Sequence, residues 1–148
     1  MEELKELFKA IDKIIKNALI DYNALLQKEI DSDFLEDVEN RRLANSFLFY
    51  FAKLQDKIGV KLFKKVLYEL QEIDSFAIPF RDVLDILEKL EIIEADEWLK
   101  IREIRNELSH EYPDDIDESI ESLKLAINFF PNMLNIYQNL KEKIEKSS

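Results

Sequence analysis

The sequence predicts an all-α protein, a four- to five-helix up-and-down bundle forming one domain over residues 1–148. Three observations carry this. There are one glycine and three prolines in 148 residues, so few positions break a helix. Long stretches are dominated by Leu, Ile, Lys and Glu. Apolar residues recur at three- and four-residue spacing along most of the chain. The 47% hydrophobic content, with ten phenylalanines, supplies one core.

The first helix reads from Leu4 to about Leu26 through Leu7, Phe8, Ile11, Ile14, Ile15, Ala18, Leu19, Tyr22 and Leu25. Asp31-Ser32-Asp33 offers turn and N-cap chemistry for the next element. The second helix carries Leu43, Phe47, Tyr50, Phe51 and Leu54, with Arg41 and Arg42 near its start. It ends near Ile58-Gly59, with the sole glycine as C-cap. A further helical stretch runs from Lys61 to Leu70, and Glu72 to Pro79 forms a connector. Pro79 opens a helix containing Val83, Leu84, Ile86, Leu87 and Leu90. The next helix begins at Ala95 or Asp96, and Pro113-Asp114-Asp115 stops it and caps the last. That last helix uses Ile116, Ile120, Leu123, Ile127, Phe130, Leu134, Tyr137 and Ile144. Pro131 should kink or interrupt it, and the polar tail from about residue 141 should fray.

Composition narrows the function. Without cysteine there are no disulfides, thiolate metal sites or cysteine nucleophiles. The acidic start Met1-Glu2-Glu3-Leu4-Lys5 does not read as a signal peptide, and no apolar run reaches membrane-span length. A cytoplasmic protein with no membrane contact is the expectation. A net charge of −11 repels phosphate at long range, so any nucleic-acid chemistry must rest on local cations.

The chemically richest stretch is Arg105-Asn106-Glu107-Leu108-Ser109-His110-Glu111-Tyr112, followed by Pro113 and holding the only histidine. At about 100° per residue, Trp98, Ile101, Ile104, Leu108 and Tyr112 form an apolar stripe, and Arg105 lies within it. Lys100, Glu103, Glu107 and Glu111 take the opposite side, while Asn106 and His110 share an edge with Leu99. Arg105 and His110 stand roughly 140° apart on the wheel, so the guanidinium must reach across or a second element must bring them together.

Four readings compete. In the structural one, Arg105 snorkels or pairs with a carboxylate such as Asp82 or Glu103, and His110 caps the helix end. Glu107-x-x-His110 has di-iron ligand spacing, but that chemistry needs a second such motif and two more carboxylates. Serine catalysis lacks a strained glycine turn to present Ser109. The last is cleavage of RNA without a metal. It needs a proton acceptor for the ribose 2′-OH, a donor for the leaving 5′-oxygen and a cation for the phosphorane. An imidazole and a guanidinium suit these roles, and a two-fold dimer would bring in a second histidine.

Arg105-Asn106-x-x-x-His110-x-Tyr112 matches the Arg-x4-His-x-Tyr signature of the HEPN superfamily, in its HepT-like branch. The likeness extends to Trp98-Leu99-x-x-Arg102 upstream and Tyr112-Pro113-Asp114-Asp115 downstream, and to the length and helix pattern of the whole chain. The resemblance implies a HEPN-like bundle acting as the homodimeric ribonuclease toxin of a toxin–antitoxin pair. It implies Arg105, Asn106 and His110 as catalytic residues in a cleft at the dimer interface. It also implies a minimal nucleotidyltransferase antitoxin that silences the toxin by transferring AMP to Tyr112. No metal or cofactor is expected. Similar helical bundles serve as non-catalytic substrate-binding partners of nucleotidyltransferases, and that alternative leaves Arg105 and His110 idle.

Overall fold

The structure, a computed structural model, describes residues 1–108 and 116–147, with backbone alone at 116 and 117. It is a small all-helical bundle, with no strand among the described residues. Helix α1 spans Glu2–Leu26, α2 Val38–Asp56, α3 Phe63–Glu69, α4 Phe80–Lys89, α5 Ala95–Glu107 and α6 Ile116–Ser147. A 3-10 turn, Phe34–Glu36, precedes α2, and a π-helical turn, Lys57–Leu62, joins α2 to α3 as one rod. No described helix is long and apolar enough to cross a membrane.

Helix α2 is central, packing against α1, α5 and α6. Its buried face, Ala44, Phe47, Phe51 and Leu54, keeps the three-four spacing read from the sequence. An aromatic cluster ties three helices: Phe130 of α6 lies 5.3 Å edge-on from Phe47 and 4.9 Å from Tyr22 of α1. Its planar side chains bury large area, which fixes how α1 and α6 pack on α2. The cap of α2 is Asp37 rather than Asp31 or Asp33; its Oδ1 accepts from the backbone N–H of Glu39 at 2.8 Å and Asn40 at 3.1 Å. Asp31 closes the preceding turn, accepting from Asp33 N–H at 3.0 Å.

Gly59 is not a C-cap. It sits inside the π turn with an ordinary negative φ, and the rod continues to Glu69. What requires glycine is Trp98 of α5, since a Cβ at Gly59 would stand 2.9 Å from Cζ2 of the indole. The ring is fully buried, and Phe63 meets it edge-on at 4.7 Å.

The helix ends that need a left-handed residue use other side chains. Gln71 (φ 61°) ends α3 and Glu91 (φ 60°) ends α4. Each is closed by a bond reaching back five residues: Glu72 N–H to Leu67 C=O, and Ile92 N–H to Leu87 C=O. Pro79 precedes α4 as its cap residue, with the first turn starting at Phe80.

Pro131 does not interrupt α6, which runs through it to Ser147. The tail is also helical where fraying was expected. Ile144 is buried, and Lys141 reaches Asp12 of α1 at 3.3 Å. Tyr137 reinforces that seam: its hydroxyl donates to Asp12 Oδ1 at 2.7 Å, with the Phe8 carbonyl at 3.1 Å as a second acceptor. Burial, then this hydrogen bond and the Asp12 charge, hold the Tyr137 phenol well above the ordinary tyrosine range.

Candidate functional site

Helix α5 presents the predicted face. Trp98, Ile101 and Ile104 are buried and Leu108 is half-buried, whereas Lys100, Glu103 and Glu107 are exposed. Arg105 lies on the buried side of this wheel, as its position in the stripe requires, and needs a counter-charge there.

The counter-charge is Asp56, the last residue of α2, not Asp82 or Glu103. Arg105 Nε donates to Asp56 Oδ1 and Nη2 donates to Oδ2, both at 2.9 Å. The Arg105 side chain is 26% exposed and that of Asp56 48%. Buried Gln55 donates from Nε2 to the same Oδ1 at 3.2 Å. The hydrogen bond to Asp56 raises the Arg105 pKa further, burial opposes this, and the Asp56 charge adds to the rise. The guanidinium is therefore a permanent cation with a fixed orientation.

Arg105 borders a groove of about 500 Å³ between α2, the end of α5 and the start of α6. Ala44, Leu48 and Ala52 of α2 give it an apolar wall, with Leu108 and Leu123 opposite. Asn45, Ser119 and Ser122 add polar groups. A second cation, Arg41, lines the same groove and is steadied by donating from Nη1 to the Leu35 carbonyl at 3.0 Å. Phe49, largely exposed, stands among the lining residues with Lys53 5.6 Å from its ring centre. Arg41 stands fifteen residues before Asp56 on α2, about 22 Å along the helix, so the two cations mark opposite ends of the groove with apolar and aromatic surface between them.

Of the residues singled out from sequence, Arg105 lines this groove and Asn106 does not. Asn106 is exposed on the neighbouring edge of α5. His110 and Tyr112 lie outside the described residues, as do Ser109 and the Pro113-Asp114-Asp115 stop and cap.

Sequence reasoning missed Gln55 and Asp56. The signal was present: Gln55-Asp56 is a polar pair directly after the apolar run ending in Leu54, where a neighbouring helix could bring a cation. Arg41 was visible as a cation early in α2, but its place in the same groove as Arg105 depends on how α2 and α5 cross.

Compared with known proteins, the chain matches no family model, no curated protein and no solved structure.

Proposed function

We propose that this protein is a metal-independent endoribonuclease, the cytoplasmic toxin of a toxin–antitoxin pair, acting as a homodimer. The observation that supports the reading is the groove. Arg105 and Arg41 both line it, and so does Leu108, two residues before His110. In this reading Arg105 stabilises charge growing on the phosphorane, and His110 exchanges protons. Asn106 accompanies them as a polar partner. The ribose 2′-oxygen gives up its proton and attacks phosphorus, the bond to the 5′-oxygen breaks, and that oxygen takes up a proton. A homodimer supplies the second imidazole, so acid and base come from different chains. Tyr112 is the AMP acceptor for a minimal nucleotidyltransferase antitoxin.

The charge balance sets the binding regime. At −11 overall, the protein gains little from long-range attraction, so affinity must come from hydrogen bonds inside the groove. The deciding experiment is RNA cleavage by the pure protein in chelator, with the products analysed for a 2′,3′-cyclic phosphate. Cleavage that stops in chelator and returns with a divalent ion overturns the acid–base mechanism.

One observation favours a second reading. Arg105 is already ion-paired within its own chain by Asp56, as a packing arginine would be. A non-catalytic partner subunit of a nucleotidyltransferase would keep the dimer and the groove and cleave no RNA under any condition.

A further inference from the structure

A guanidinium carries five N–H bonds arranged in a planar fork, and a carboxylate or phosphate takes them two at a time. Asp56 takes the Nε–Nη2 edge of Arg105, with two bonds of equal length. Among the described residues no other group is bonded to Arg105, and one Nη1 hydrogen with the second Nη2 hydrogen makes one further two-donor edge. The non-bridging oxygens of a phosphodiester fit such an edge.

The setting of Asp56 is equally specific. It ends α2 where the π turn begins, and buried Gln55 steadies its Oδ1. Within that turn, Gly59 receives Trp98 of α5. Trp98 and Arg105 are seven residues apart, on one face of α5. Helix α5 is thus gripped at two points of a single rod, and the second grip is the ion pair. The rotamer freedom that an arginine loses on meeting a ligand is here already spent in the fold.

We propose that Asp56 is a positioning residue, fixing Arg105 so that its Nη1–Nη2 edge receives a phosphate of the RNA. This rests on the nuclease reading above. It separates cleanly from simple electrostatics. Neutralising Asp56 leaves the protein one unit less acidic, so Coulomb attraction alone would tighten phosphate binding. Positioning requires the opposite sign.

The test uses the full chain as wild type, Asp56→Asn, Arg105→Lys and the double variant. Binding is read by fluorescence anisotropy at low salt with a 2′-deoxy oligonucleotide, which cannot be cleaved. Cleavage is read with the all-ribose counterpart, and thermal melts run alongside. Asp56→Asn should weaken binding about 10-fold, within the range for coupled groups in contact. In the Arg105→Lys background, which keeps the charge but has no fork, the same change should matter less than about 2-fold. If Asp56→Asn melts early, Asp56→Glu takes its place; the carboxylate is kept but displaced by one methylene, and affinity should again fall. Unchanged or tighter binding in the folded Asp56 variant, or an equal loss in both backgrounds, overturns the proposal. A wild type that binds, loses binding in Asp56→Asn and cleaves nothing keeps the positioning role and overturns the nuclease reading. A wild type that neither binds nor cleaves overturns both.

Discussion

Gly59 and Trp98 are in contact so close that no side chain fits between them: a Cβ on Gly59 would lie 2.9 Å from Cζ2 of the indole. The ring is fully buried, and Phe63 packs edge-on against it.

Gly59→Ala therefore sets two effects against each other. Helix propensity favours alanine by about 1 kcal/mol. Overpacking a rigid core costs about 1–3 kcal/mol. The steric cost should win, lowering stability by up to about 2 kcal/mol in urea or thermal melts. Val60→Ala, next in sequence but 66% exposed, is the control and should change little. A higher melting temperature for Gly59→Ala would show that the indole has room to move.

Gln71 and Glu91 hold left-handed backbone without being glycine. An L side chain pays about 1–2 kcal/mol there. Gln71→Gly and Glu91→Gly should each stabilise the protein, by about 0.5–1 kcal/mol after the added freedom of the unfolded chain is charged against them. Denaturant midpoints measure this, and a fall in midpoint for both would refute the capping account.

Most of the fold was legible in the sequence because each helix repeats its apolar residues on one face. Among the described residues, the faces of α1, α2 and α5 read from spacing are the buried or half-buried ones, with Leu26 at the end of α1 the exception. The glycine was misread for a physical reason. A C-cap is a local requirement, so sequence rules look for glycine at helix ends. Here its missing side chain answers a tertiary demand, the indole of a helix nearly forty residues later. The site was half legible. Arg105 within an apolar stripe announced a buried cation, but choosing Asp56 over Asp82 or Glu103 required the crossing of α2 and α5.

Tyr137 gives a pH prediction. Its folded pKa is raised, so the folded protein keeps this proton where the unfolded chain loses it, above about pH 10. The contribution is complete below that value and drains away as pH rises past it. Stability should fall steeply above about pH 10, and Tyr137→Phe should flatten that fall. Absorbance at 295 nm should show Tyr137 ionising only as the protein unfolds; ionisation in the folded state would contradict its place beside Asp12.

The nuclease reading predicts a composite site. In a tethered dimer with His110→Ala in one copy alone, a shared cleft should lose about 10²-fold or more in rate. Two independent sites would retain about half, and half-activity in a folded hybrid rules the shared cleft out.

The silencing proposed above predicts a mass shift of one AMP on Tyr112 when the protein is made together with a minimal nucleotidyltransferase antitoxin. The added phosphate repels RNA by charge and bulk. AMP on another residue, with Tyr112 unmodified, removes this part of the reading.

The π turn bears on how chain length can vary. A π turn absorbs one extra residue and returns the following helix to its earlier phase. Phe47, Phe51, Leu54 and Ile58 lead into Leu62, Val66 and the rest of α3 with the core side unchanged. A version of this chain lacking Val60 would thread the same core as an ordinary α-helix. In any alignment of such chains, a single-residue gap belongs inside this rod, between Lys57 and Leu62, and not in the connector that follows it.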